Sequence, residues 1–178
     1  MVKSNSKNSS SSNMEIRPLE KDELNLVQEL AYRIWPSTYS EILSQEQMSY
    51  MLNWMYSIET LEKSYVSNHC FFAIFDENQA VGFLDVELNC PEMNGMKLQK
   101  IYVLPEKQGL GLGKTLLNFA IDFGKKQGMH QLTLQVNRYN KAVDFYQYAG
   151  LEIIDEQDFD IGNGYFMNDF VMQKSLVS

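Results

Sequence analysis

The sequence predicts an α/β protein built on one mixed sheet, and three observations carry that prediction. Apolar residues recur at helical spacing through the first third of the chain and shift to strand spacing near residue 70. After residue 105, helical and strand patterns alternate to the end. The 178 residues show no internal repeat and no linker inside the patterned part, so one domain is expected over 14–178.

Composition narrows the function classes. Hydrophobic residues make up 44% and charged residues 21%, an ordinary globular balance able to fill one core. Lys and Arg number 15 against 23 Asp and Glu, a formal net charge of −8. Such a chain is a poor general nucleic-acid binder, because that binding rests on neutralising phosphates, and it attracts cations, amines included. Cys70 and Cys90 are too few for a disulfide framework and neither lies in a CxxC. His69 beside Cys70, with His130 far along the chain, makes no recognisable ligand set, so no metal is expected. No apolar run approaches the ~20 residues that span a bilayer. The Ser/Asn-rich stretch 1–13 has no apolar segment of a signal peptide, and it carries too little apolar surface to offset ordering entropy. The expectations are a disordered tail over 1–13, a cytoplasmic protein and no membrane partner.

The elements follow in order. Residues 14–17 read as a short strand ending at Pro18. Leu24, Val27, Leu30, Ala31 and Ile34 share one helical face, and Pro36 is expected to end that helix. Ser44 with Gln47 reads as a capping box ahead of a Met48, Met51, Leu52, Met55 stripe. A third helix is expected over 58–65. The apolar run 70–75, a turn at Asp76, Glu77 and Asn78, and the run 81–88 read as a hairpin. Asn94-Gly95 signals a further turn, and a strand over 98–104 stops at Pro105. A helix is expected over 115–127 with Gly128 at its end, then a strand over 131–136. Asn140 can cap a helix over 141–148, with Gly150 just beyond it. Strands over 153–159 and 166–172 flank an Ile161-Gly162-Asn163-Gly164 turn.

Between a predicted strand and a predicted helix stands Gln108-Gly109-Leu110-Gly111-Leu112-Gly113-Lys114-Thr115. A glycine-rich turn there exposes successive backbone N–H groups, and the helix N-terminus adds partial positive charge. Both suit a phosphate or pyrophosphate. A P-loop would need glycine at position 108, which is Gln108. A GxGxxG fingerprint would need glycine at 114, which is Lys114. The pattern Q/R-x-x-G-x-G/A fits in register through Gln108, Gly111 and Gly113. A tight turn without a ligand is the remaining reading.

That pattern resembles the GNAT family of acyl-CoA-dependent N-acetyltransferases. One stretch, Leu98-Gln99-Lys100-Ile101-Tyr102-Val103-Leu104-Pro105 running into the glycine loop, is similar to the family's fourth strand and pyrophosphate loop. A second, Val136-Asn137-Arg138-Tyr139-Asn140-Lys141-Ala142-Val143-Asp144-Phe145-Tyr146 ending at Gly150-Leu151, resembles its Asn…Ala…Phe-Tyr…Gly-Phe helix. The resemblance implies a mixed, mostly antiparallel, V-splayed sheet of six to seven strands with helices on both faces. It also implies acetyl-CoA as co-substrate. Backbone N–H groups of Gln108, Gly109, Leu110, Gly111, Gly113 and Lys114 would hold the pyrophosphate. Backbone near Ile101 and Val103 would pair with the pantetheine arm as an added strand. Asn140 would touch the arm from the other side. The family's asparagine usually stands one residue further from its tyrosine, so Asn137 is a second candidate.

Acetyl transfer to an amine sets two proton problems. An amine with a reference pKa near ~10.4 must lose a proton before it attacks, and the departing thiolate must gain one. By the resemblance Tyr146 is the acid. Glu87, which shares a strand face with Asp85, is the candidate base, and a backbone N–H near Val103 is the candidate oxyanion donor. The acceptor site implied by the family lies between the first helices and the last strands, where Trp35, Tyr39 and Tyr165 are the candidate substrate-binding aromatics. The acidic charge and these aromatics point to a small cationic, polyamine-like amine. Acetylation of a protein N-terminus or lysine, and a non-catalytic acyl-CoA-binding module, are the alternatives. The oligomeric state is left open by the sequence, with a homodimer favoured by base rate alone.

Overall fold

The computed structural model describes residues 13–90 and 95–177. Its strands are β1 (Met14–Pro18), β2 (His69–Asp76), β3 (Gln79–Cys90), β4 (Gly95–Val103), β5 (Gln131–Asn137), β6 (Glu152–Gly162) and β7 (Tyr165–Ser175). They form one sheet in the order β1-β2-β3-β4-β5-β7-β6. Every neighbouring pair is antiparallel except β4 with β5. The helices are α1 (Leu24–Tyr39), α2 (Gln45–Tyr56), α3 (Ile58–Tyr65), α4 (Leu112–Lys126) and α5 (Ala142–Tyr148).

Helices cover both faces, and two neighbouring aromatics show it. Phe83 points to one face, packing edge-on against Tyr56 of α2 with ring centroids 6.2 Å apart. Phe72, opposite Leu84 in the register, points to the other face and meets Phe119 and Phe123 of α4 at 4.9 and 5.1 Å. Residues 81–86 of β3 are therefore all buried, because that strand is covered on both sides. The hairpin expected over 70–88 forms, with Glu77 at φ 57 in its turn. The last turn is tighter than its four-residue signal: Asn163 and Gly164 both take positive φ, the two-residue hairpin geometry.

Among the differences from expectation, two helix boundaries and one cap have a clear physical reason. The first helix does not stop at Pro36 but runs on to Tyr39. A proline forfeits only its own N–H bond and crowds one carbonyl, and here that loss falls in the final turn. Trp35 and Tyr39, one turn apart, pack with ring centroids at 4.6 Å, and the Ser37 and Thr38 hydroxyls donate to the Ile34 carbonyl. The fourth helix starts at Leu112, three residues early, because left-handed Gly111 acts as its N-cap. The capping box forms by half. Ser44 accepts from the Gln47 N–H, but the Gln47 amide donates to the Phe166 carbonyl at 2.9 Å and so ties α2 to β7. The expected Asn94 turn and residues 1–12 of the expected tail lie outside the described residues. Among the described residues no helix is long and apolar enough to cross a membrane.

Candidate active site

β4 and β5 pair only at Met96, Lys97 and Leu98 against Leu132, Thr133 and Leu134, and then part. The parting turns a strip of backbone outward. Leu104 donates to the Val81 carbonyl, so the alternation of an antiparallel ladder faces Tyr102 and Lys100 toward β3. The intervening N–H and C=O groups of Ile101 and Val103 face the opening. A β-bulge between Asp85 and Val86 sets this phase near Gln99.

The opening widens into a cleft of about 900 Å³ that runs from the glycine loop, past both strands, to α1 and β7. Its lining includes Ile101, Val103, Gln108, Gly109, Gly111, Gly113, Lys114, Asn137, Asn140 and Tyr146, and also Trp35 and Tyr39. Three residues expected in the site do not line it. Leu110 is exposed on the loop between Gly109 and Gly111. Tyr165 packs at a tilt against Tyr50, ring centroids 5.3 Å apart, and the Tyr50 hydroxyl donates to the Ile161 carbonyl near the β6–β7 turn. Glu87 sits on β3, with β4 between it and β5, and its carboxylate accepts from the Gln99 amide at 2.7 Å.

The glycine loop is a cradle with open donors. Gly109 and Gly111 both hold φ +78, and nothing lies within 4 Å of where a Cβ would stand on either. The N–H of Gln108 is already spent on the Pro105 carbonyl, and its side chain donates to the Val103 carbonyl. The N–H groups from Gly109 to Lys114 have no backbone acceptor among the described residues. They converge on the N-terminus of a 15-residue helix with no acidic residue in its first turn. A diphosphate group fits this donor set.

At the other end stands a tyrosine cluster. Tyr146 is buried, and burial holds its phenol well above the ordinary range, with the nearby Tyr39 adding to the rise. The Tyr39 and Tyr102 hydroxyls share a hydrogen bond of 2.7 Å. Asn140 accepts from the Ala142 N–H and shapes the entry to α5, while Asn137 accepts from the Tyr139 N–H. Both asparagines therefore reach the cleft with one side-chain oxygen already engaged. Trp35 is fully buried beneath, donating to the Tyr56 hydroxyl at 3.3 Å.

Sequence reasoning missed Asp169, whose side chain lines the cleft while being only 4% exposed. Its signal was readable. Met167, Asp169 and Val171 occupy alternate positions of β7, and a lone carboxylate stands on that series.

The profile of the acetyltransferase (GNAT) family matches residues 27–151. The chain belongs to that family. A spermidine N(1)-acetyltransferase of Thermoplasma acidophilum is 29% identical to this acetyltransferase over 171 residues, 93% of this chain and 99% of the relative. A [ribosomal protein bS18]-alanine N-acetyltransferase of Haemophilus influenzae is 28% identical over 117 residues, 66% of this chain and 77% of the relative. The crystal structure of the PaiA N-acetyltransferase from Thermoplasma acidophilum, in complex with coenzyme A, aligns with a TM-score of 0.77 at 29% identity. That alignment covers 92% of this chain and 99% of that one. The open seven-stranded sheet with five helices is thus the GNAT fold in this acetyltransferase.

Proposed function

We propose that the acetyltransferase moves the acetyl group of acetyl-CoA to a primary amine of a small, cationic, polyamine-like acceptor, by direct attack in a ternary complex. The observation that carries this reading is continuity: one cleft joins a diphosphate cradle, two outward-facing backbone positions on β4 and a buried tyrosine. The likeness to a spermidine N(1)-acetyltransferase supports the acceptor class, as does the net charge of −8.

Each part of the chain then has a task. N–H groups from Gly109 to Lys114 bind the diphosphate, and the Lys114 ammonium adds charge beside them. Ile101 and Val103 bond to the pantetheine arm through their backbone, and the Val103 N–H meets the carbonyl oxygen as charge develops on it. The amine nitrogen forms its bond to the thioester carbon as the carbon–sulfur bond breaks. Tyr146 passes its proton to the departing sulfur. The attacking ammonium gives up two protons in all; one replaces that of Tyr146 and the other leaves for solvent. Burial suits the acid's role, because the environment that keeps Tyr146 protonated also raises the proton affinity of a nascent thiolate.

The test is release of free CoA from acetyl-CoA over spermidine, spermine, simple diamines, amino acids and short peptides. Saturable turnover with the polyamines is expected. Tyr146→Phe should lower kcat by ~10²–10³, the range of one acid–base group, with the Kd for acetyl-CoA unchanged. Turnover that survives in Tyr146→Phe removes that assignment. The Haemophilus influenzae relative favours a second reading, acetylation of a protein N-terminus. An alanine-led peptide that outcompetes the polyamines in kcat/KM would establish it.

A further inference from the structure

We propose that Asp169 is the carboxylate that meets the acceptor ammonium in the cleft and takes its proton. The inference rests on the amine-acetylating reading above and names a group that reading leaves open.

Three observations carry it. Asp169 lies on β7 opposite Asn137 of β5, so it stands on the cleft's β5–β7 wall, across from the outward-facing backbone of β4. It is 4% exposed. Among the described residues no hydrogen bond or ion pair engages its carboxylate. Buried carboxylates are ordinarily hydrogen-bonded or paired, so one left open inside a substrate cleft is poised for a partner from outside the chain. An ammonium supplies that partner: three donors and a positive charge on one atom.

The surroundings define how this carboxylate titrates. From α1, Tyr39 interacts with it electrostatically while its hydroxyl is bonded to that of Tyr102. From β4, Lys97 contributes positive charge, and so does Arg138, just beyond β5. Opposite on β6 stands Gln157, which is neutral. Arg138 does not close on Asp169. Its two terminal nitrogens are held by Glu156 and Asp158 of β6, and its buried Nε has no partner among the described residues. Loss of hydration outweighs the two cations, and the carboxyl is pushed up to about 6. At neutral pH it is ionised, yet it is a stronger base by about two powers of ten than an ordinary aspartate.

Tyr39 links this group to the chemistry already assigned. It interacts electrostatically with both Asp169 and Tyr146. The carboxylate that takes a proton, the phenol that gives one and Tyr39 all line the same cleft. In the step itself, an N–H bond of the ammonium breaks and an O–H bond forms on Asp169. The neutral nitrogen then attacks the thioester carbon, and Asp169 releases the proton to solvent when the product leaves.

The experiment compares wild type, Asp169→Asn and Asp169→Glu, with spermidine as the amine. It records kcat and KM from pH 5 to 8, and the Kd for acetyl-CoA by calorimetry. In wild type, kcat/KM is expected to climb with pH through about 6. In Asp169→Asn, kcat should fall ~10²–10³ and the acidic limb should vanish, while the acetyl-CoA Kd stays within about threefold. Asp169→Glu should recover part of the rate, with the limb restored. An Asn variant that keeps both rate and limb overturns the assignment and leaves the amine reading standing. If no protein in the set acetylates any amine while acetyl-CoA still binds, the amine reading falls and takes this assignment with it. Should the Asn variant lose acetyl-CoA binding through misfolding, the wild-type profile decides: a flat profile from pH 5 to 7 overturns the proposal.

Discussion

At Gly111 the chain adopts φ +78, where an L side chain costs about 1–2 kcal/mol, and the space beside it is open. Beyond that backbone cost no neighbouring atom would meet a Cβ there, whereas a diphosphate seated on the loop as proposed would. Gly111→Ala should therefore lower Tm by a few degrees and weaken acetyl-CoA about tenfold or more, as calorimetry reads it. Asp169 shows the opposite trade. Its carboxyl is raised in the folded protein, so its contribution to stability is fully present below the unfolded value of 3.8 and is lost as pH rises through about 6. Two pH units correspond to about 3 kcal/mol of cost when the group is charged. Asp169→Asn is expected to raise Tm by several degrees at pH 7.5 and to change it little at pH 4. A Tm at pH 7.5 that stays level or falls would show that the charge is not strained in place. The glycines were legible because their spacing is local. Asp169 was visible only as a misfit on a strand, since the cleft it lines is assembled from α1, β4 and β5 as well as β7.

Turns and helix ends obeyed their local signals where a single residue decides the backbone: Gly128 and Gly150 both take the left-handed conformation just past a helix. Pro36 broke the rule because a proline stops a helix only if nothing downstream repays continuing it. Here the next turn brings Tyr39 onto Trp35 and Tyr102. Pro36 is exposed and leaves the Tyr32 carbonyl without its helical N–H. Pro36→Ala should restore that bond and stabilise the protein by about 1–3 kcal/mol, measured by denaturant unfolding. A destabilised variant would mean that the proline holds the final turn in a geometry alanine does not keep. The point at which β4 leaves β5 was not legible as a position, because neither strand announces it. The separation arises between partners more than thirty residues apart, and the bulge that phases it has no sequence signature of its own.

Across the whole sheet, one buried ionic cluster ties the first half together. Asp85 of β3 is fully buried between His69 of β2 and Lys100 of β4, each at 2.8 Å. Burial alone would raise its carboxyl; Lys100 and His69 outweigh burial and hold it below the ordinary range. Its stabilising share is therefore present above about pH 4 and is lost as pH falls through the lowered value. Asp85→Ala should cost about 3–5 kcal/mol at pH 7, because it strands Lys100 without its partner. Urea unfolding reads that loss directly.

The parting of β4 from β5 has a consequence of another kind. It leaves the sheet as two leaves, β1 to β4 and β5 with β7 and β6, stitched by three residue pairs along one short seam. An arm that bonds to β4 while lying against β5 works as a staple between the leaves. Deuterium uptake at the amides of Ile101 and Val103 should slow when acetyl-CoA is present and quicken once CoA departs. Loading would then brace the two leaves, and product departure would free them, a cycle of tightening and slackening that needs no separate lid.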